Sequence, residues 1–294
     1  MSPAPPGAAA ALPFSSLDRR RHVTDSLFRA ACALAVALAI VPLVSVLYYT
    51  ASRGLGGVNL AFFTQLPKPV GETGGGMANA IEGTLTLVGM ACVIGVPAGV
   101  LAGVFLAEFP GTKFATLVRF SADVMSGIPS ITVGIFAYSI VVLNMGRFSA
   151  IAGSVALAVI MLPTVTRTTE ELLRLVPANL REAALGLGVS KWRATISIVL
   201  RTAAPGIATG IMLAVARVAG ETAPLLFTAF SNRFWSQGVD QPIASLPVQI
   251  YTYAVSPFED WHRQAWAAAL VLVMLVLVLN VTAKLLVRSR VEGR

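Results

Sequence analysis

Apolar residues in this chain gather into six long runs, approximately 28–50, 77–107, 119–143, 150–168, 204–230 and 264–287, parted by stretches carrying Arg, Lys, Asp, Glu, Pro and Gly. At about 1.5 Å of helical rise per residue, runs near twenty residues match a bilayer core roughly 30 Å thick. They predict an all-α polytopic membrane protein with six transmembrane helices and both termini on one side. Residues 1–27, rich in Pro, Ala and Ser and then in Arg, read as a disordered basic tail ahead of the first helix at 28–50. The apolar run of that helix is long and its leader extended, which predicts a retained anchor rather than a cleaved signal.

The middle segments depart from plain lipid-facing spans. Segment two carries Gly83, Gly89, Gly95, Gly99 and Gly103, small residues that let helices approach closely within a membrane bundle. Segment three contains Gly127 and Pro129 with Ser126, Ser130 and Thr132, so its helix bends or breaks there. Either the serines stabilise an ordinary proline kink, or the broken backbone lines a water-filled cavity. Segment four is short: Ala150–Val165 gives about 24 Å of helix, and a full crossing must draw in Thr166, Arg167, Thr168, Thr169 and Glu170. Arg167 shares a helix face with Glu170 and Glu171, as a snorkelling helix end or as a charged constriction at the inner mouth.

Composition supports the same class. Of 294 residues 56% are apolar and 12% charged, and the mean hydropathy is +0.76. The net charge of +8 is distributed at the ends of the apolar runs, which indicates topology rather than nucleic-acid binding. Sixteen Lys and Arg fall on the side of the termini, the 108–118 loop and the 169–203 loop, against five on the other side. That asymmetry predicts cytoplasmic termini. Cys32 and Cys92 lie in different segments with no nearby His, so neither a metal site nor a disulfide is expected.

One cation remains inside an apolar run. If segment five starts at Pro205, Arg217 lies about 18 Å into the core, and a guanidinium at such depth costs at least ~2.5 kcal/mol. Glu221 follows at (i, i+4), with Gly220, Thr222 and Pro224 interrupting the helix. The pair either fixes bundle register or supplies a guanidinium fork for an oxyanion, with Glu221 balancing the charge when no substrate is present. Between segments four and five, Leu175, Leu180, Ala183, Ala184 and Leu187 recur at helical spacing, and Gly186 and Gly188 supply a turn. A short amphipathic helix with so few cations fits a groove on a soluble partner better than a membrane surface.

Glu182-Ala183-Ala184, Gly188 and the run Ile198-Val199-Leu200 resemble the EAA loop of permease subunits of binding-protein-dependent ABC importers. Arg201 departs from that pattern, standing where a proline is usual; the proline here is Pro205. Residues 75–287 are similar to the type I (MetI-like) importer membrane domain, with 169–203 as the coupling loop. Ser126-Gly-Ile-Pro-Ser130, Arg167-Thr-Thr-Glu170, Ala219-Gly-Glu-Thr-Ala-Pro-Leu-Leu-Phe-Thr228 and Ala244-Ser-Leu-Pro-Val-Gln-Ile-Tyr251 further resemble the PstA family of phosphate importer permeases. The resemblance implies a heterodimer with a PstC-like permease, a PstB-like ATPase dimer beneath, a PstS-like phosphate-binding protein outside, and the bacterial inner membrane as the location. It also implies that Arg167, Glu170 and Arg217 line a phosphate path, joined by Glu221, Ser126, Ser130 and Thr222. Arg181, Glu182, Ala183, Ala184 and Gly188 would meet the ATPase.

No G-x-x-x-x-G-K-[ST] run occurs in the chain, so ATP-Mg is expected on the partner ATPase and no cofactor on this subunit. His22 and His262 lie outside the apolar runs and read as surface residues, which argues against a nucleophilic triad. Phe234, Trp235, Trp261 and Trp266 form either an outer aromatic belt or part of a receiving surface for the binding protein. Two rivals keep the same spans: a permease for sulfate or molybdate, and a carrier or sensor that works without an ATPase.

Overall fold

The computed structural model describes residues 16–292, with side chains described over 20–285. Regular structure among these residues is helical, apart from one isolated antiparallel bridge between Pro67 and Gly75. By its contacts the chain divides after Tyr49 into an N-terminal unit and a bundle. α1 runs from Ser16 to Gly54. Residues 16–27, expected in an irregular tail, are therefore its opening turns. That stretch lacks Pro and Gly and contains good helix formers, and Arg29 pairs with Asp25 one turn back at 2.8 Å. The rest of the expected tail lies outside the described residues.

The bundle continues with α2 (Leu60–Thr64), α3 (Ala78–Glu108), α4 (Lys113–Gly127), α5 (Ser130–Ala137), α6 (Leu143–Met145), α7 (Ala150–Arg174) and α8 (Ala178–Gly186). It closes with α9 (Lys191–Ala194), α10 (Leu200–Ala219), α11 (Ala223–Thr228), α12 (Leu246–Ala254) and α13 (Glu259–Glu292). Among the described residues five helical stretches are long and apolar enough to cross a membrane, or six where the bent pair α4 and α5–α6 counts as one broken span. The chain is a multi-pass membrane protein.

α3 and α7 form the longest seam of the bundle. Gly95, Gly99 and Gly103 bring the α3 backbone against Ala158, Val165 and Thr169, and a Cβ on Gly103 would stand 2.5 Å from the Thr169 Cβ. Gly89 differs from its row and faces open space. Ser149 caps α7 by accepting from the Ala152 amide at 3.1 Å. Leu87, Leu157, Met161, Val165, Val218 and Leu225 fill the central core between α3, α7, α10 and α11.

Segment three is broken rather than kinked: α4 meets the following helix at 107°. Pro129 lacks the amide that would continue the ladder, and Ile128 before it adopts φ −74°, ψ 130°, the extended state that proline imposes on its predecessor. Segment five also differs from expectation. One helical stretch runs from Lys191 to Ala219, with a π turn at Thr195–Val199 and Pro205 inside it. The proline removes one backbone bond without ending the helix, which packed neighbours and length sustain. The chain then breaks at Gly220–Thr222 and resumes as α11.

At one end of the bundle, Phe62, Met77, Leu246, Tyr253 and Trp261 make a second core. Trp261 is 7% exposed and stacks on Tyr253 at 4.3 Å, so it belongs to this core and not to an aromatic belt. Phe234, Trp235 and Trp266 remain exposed. His262 is half-buried, 2.6 Å from the Ser256 carbonyl; His22 is exposed.

Candidate functional site

Two broken helices meet beside Arg217. α5 packs on α11, and a Cβ on Gly134 would lie 2.6 Å from the Pro224 Cα. Bare backbone at depth persists only against protein or a wet cavity. The breaks frame a cleft of about 30 Å³ lined by Met125, Ser126, Ile128, Ser130, Val133, Val159, Ile160, Pro163 and Arg217. Arg217, Ser126 and Ser130, three of the residues read from sequence, thus come from three different elements to one place. The Ser126 hydroxyl is held by the Ala122 carbonyl at 3.0 Å.

Arg217 lies in the last turn of α10, where a cation is favoured by the helix dipole. Its Nε stands 4.0 Å from Oε1 of Glu221, with side chains 49% and 17% exposed respectively. The guanidinium is therefore balanced loosely and remains open on one side. Thr222 is half-buried in the break itself, and its carbonyl accepts from the Leu225 and Leu226 amides.

Arg167 and Glu170 form a separate cluster farther along α7. Pro163 of the cleft and Arg167 are one turn apart, about 6 Å along the axis. The Glu170 residue is 1% exposed. Its Oε1 accepts from Nε and Nη2 of Arg119 at 3.0 and 2.7 Å and forms an ion pair with Nη2 of Arg174 at 2.7 Å, and its Oε2 accepts from Nη1 of Arg167 at 3.0 Å. Nη2 of Arg167 also reaches Oδ1 of Asp123 at 2.7 Å. Three guanidinium groups meet two carboxylates, a net charge of +1. A buried carboxylate is tolerated only when so paired. Glu171, expected on the same face as Arg167, is exposed.

Arg119, Asp123 and Arg174 were missed by the sequence reading. Their signal lies in spacing: Arg119 and Asp123 are (i, i+4) on α4, and Arg167, Glu170 and Arg174 recur at (i, i+3, i+7) on α7. Two charged helix faces beside apolar spans require one another.

The loop after α7 contains the expected short helix, α8, ended by Gly186 and by Gly188 at φ +79°, a conformation costly for residues with a Cβ. Glu182 and Ala183 are exposed and Ala184 is buried. Leu185 near the end of α8 and Leu187 just after it are 50% and 85% exposed, two apolar side chains left uncovered. Arg181 pairs with Glu108 at the end of α3 and donates to the Leu173 carbonyl at 3.1 Å. Its side chain ties the loop to the bundle instead of facing outward, because Glu108, 7% exposed, needs a cation. Lys191 adds a contact at 3.9 Å from Glu108. α8 joins the long helix directly through Val189 and Ser190.

A bundle of spanning helices, two of them broken around an open arginine, with an amphipathic helix exposed between spans, defines a solute-translocating membrane subunit. Residues 95–291 match the family model of the binding-protein-dependent transport system inner membrane component. The phosphate transport system permease protein PstA of Yersinia pestis is 49% identical over 246 residues, covering 83% of each chain. PstA 1 of Mycobacterium tuberculosis is 36% identical over 278 residues, covering 93% of this chain and 91% of that one. The chain belongs to the binding-protein-dependent permease family and, within it, to the PstA group. Among solved structures, a chain of a bacterial alginate ABC transporter superposes with TM-score 0.63 at 13% identity, over 94% of this chain and 98% of its own. A chain of the MetNI methionine ABC transporter superposes with TM-score 0.57 at 20% identity, over 72% and 96%. These two share the fold. The sequence expectation of a MetI-like, all-α membrane domain agrees with them.

Proposed function

We propose that the chain is the permease subunit of an ATP-driven inorganic phosphate importer, contributing half of the translocation path and coupling it to separate ATPase subunits. The observation that carries the reading is the half-exposed guanidinium of Arg217 at the meeting of two broken helices. A permanent cation is not held against hydrocarbon at such a place without use; its open side belongs to a water-filled passage shared with a second permease. A guanidinium fork offers paired donors to a tetrahedral oxyanion, and Ser126 and Ser130 add hydroxyls to the same cleft. Glu221 keeps the resting charge balanced, so that the anion is admitted without being trapped.

The excess of Lys and Arg supports a cytoplasmic position for the termini and the 108–118 and 169–203 loops, in a bacterial inner membrane. On that side α8 offers Glu182, Ala183 and the exposed Leu185 and Leu187 to a PstB-like ATPase dimer. ATP-Mg is bound there, and this subunit needs no cofactor of its own. α8 is joined through Ser190 to a helix ending beside Arg217, so rocking of α8 moves a continuous rod whose far end is the anion site. A PstC-like permease completes the path, and a PstS-like protein delivers phosphate outside.

The test is uptake of radiolabelled phosphate by vesicles holding the complete complex. Uptake that requires ATP and the loaded binding protein, and resists excess sulfate or molybdate, agrees with the reading. Uptake that persists without ATP indicates a gradient-driven carrier.

A further inference from the structure

Positive charge in the Glu170 cluster is covered unevenly. Glu170 is enclosed and takes Arg119, Arg174 and one arm of Arg167. The other arm of Arg167 is taken by Asp123, whose side chain is 52% exposed and which has no further ionic or hydrogen-bond partner among the described residues. The two carboxylates differ in kind. Withdrawing Glu170 strands three guanidinium groups around a buried gap, whereas Asp123 leaves by rotating away from one exposed pair, a weak attachment.

Its position gives that exchange a use. Asp123 sits three residues before Ser126 and one turn before the 107° break of segment three. Arg167 follows Pro163 by one turn on α7. An anion leaving the Arg217 cleft along these two helices therefore meets Arg167 next, and competes with Asp123 for the same donor.

We propose that Asp123 is a built-in stand-in anion: its carboxylate holds the outer arm of Arg167 when no substrate is present, yields it to a phosphate oxygen, and by returning expels the phosphate. Asp123 thereby sets how long the inner charged site retains its cargo. The proposal rests on the placement of Arg167 in the phosphate path. Competition by a tethered carboxylate lowers the apparent affinity for the free anion in proportion to its occupancy.

Equilibrium dialysis of inorganic phosphate against the purified complete complex, without binding protein or nucleotide, tests it. Asp123→Asn should bind phosphate about tenfold more tightly than wild type, equivalent to about 1.4 kcal/mol. Asp123→Glu should restore weak binding, and adding Arg167→Gln to Asp123→Asn should abolish the gain. In vesicles, Asp123→Asn should lower both kcat and KM for uptake, because release becomes slow; a mere tie between α4 and α7 would lower kcat alone. Phosphate affinity of Asp123→Asn equal to wild type, or a gain that survives Arg167→Gln, overturns the proposal. So does failure of both Asp123→Asn and Asp123→Ser to assemble, which would make Asp123 a structural tie. Intact uptake in Arg167→Gln alone would instead remove the cluster from the path and overturn the reading beneath it.

Discussion

Replacing Glu170 by glutamine removes the charge that three arginines share while keeping the side chain's size. Four contacts of 2.7–3.0 Å converge on the carboxylate. Each charge-assisted bond is worth about 1.5–3 kcal/mol when its partner is deleted. The full sum is not lost, since the Arg119, Arg167 and Arg174 side chains are 24%, 32% and 47% exposed and keep part of their hydration. Glutamine also retains one acceptor, although its amide group repels the Arg167 donors. A net cost of about 2–4 kcal/mol follows, below the roughly 3–5 kcal/mol of breaking a wholly enclosed pair. At about 2–4 °C per kcal/mol for a large domain, the purified complex should melt roughly 4–16 °C lower. Fluorescence-monitored thermal unfolding in detergent at one scan rate measures this, with Glu171→Gln, one residue on and exposed, as the control. A Glu170→Gln midpoint within about 2 °C of wild type would refute the reasoning.

Gly134→Val should block docking of α5 on α11, because the added carbon meets the Pro224 backbone; overpacking of about 1–3 kcal/mol should appear as reduced yield of assembled complex on size exclusion. Arg181→Ala should loosen the α8 loop from α3 and leave the Glu108 carboxylate only the longer contact to Lys191, a loss of about 1–3 kcal/mol locally that limited proteolysis between 175 and 190 will report as faster cleavage. Gly188→Val forces a β-branched residue to φ +79°, at about 1–2 kcal/mol, and should weaken co-purification of the ATPase more than it lowers the yield of the permease.

The spans were legible because a bilayer imposes length and apolarity on any crossing helix, and Gly127 with Pro129 marked a bend or break whose 107° angle only the structure gives. Arg217 stood out as a cation inside an apolar run, and the structure brings it to the same cleft as Ser126 and Ser130. The depth counted from Pro205 falls with that start, because the helix begins at Lys191 and Arg217 lies in its last turn. Contacts across the sequence were not. Arg119 reaches Glu170 from 51 positions away and Arg181 reaches Glu108 from 73; the (i, i+4) spacing of Arg119 and Asp123 marks a charged face, but nothing local to either arginine names its distant partner. Trp261 joins a core because Tyr253, eight residues earlier on α12, turns back onto it, a packing event that composition does not reveal. The fifth span starts at Lys191 and not at Pro205 because one proline removes a single backbone bond, which a long helix packed against neighbours tolerates.

Phosphate uptake by vesicles carrying Arg217→Gln in an otherwise complete complex decides whether the open guanidinium is what the anion passes. Uptake reduced at least about a hundredfold, the loss of a charge-assisted fork worth about 2.7 kcal/mol, is expected while assembly and binding-protein docking stay intact. Wild-type uptake in that variant would contradict the account.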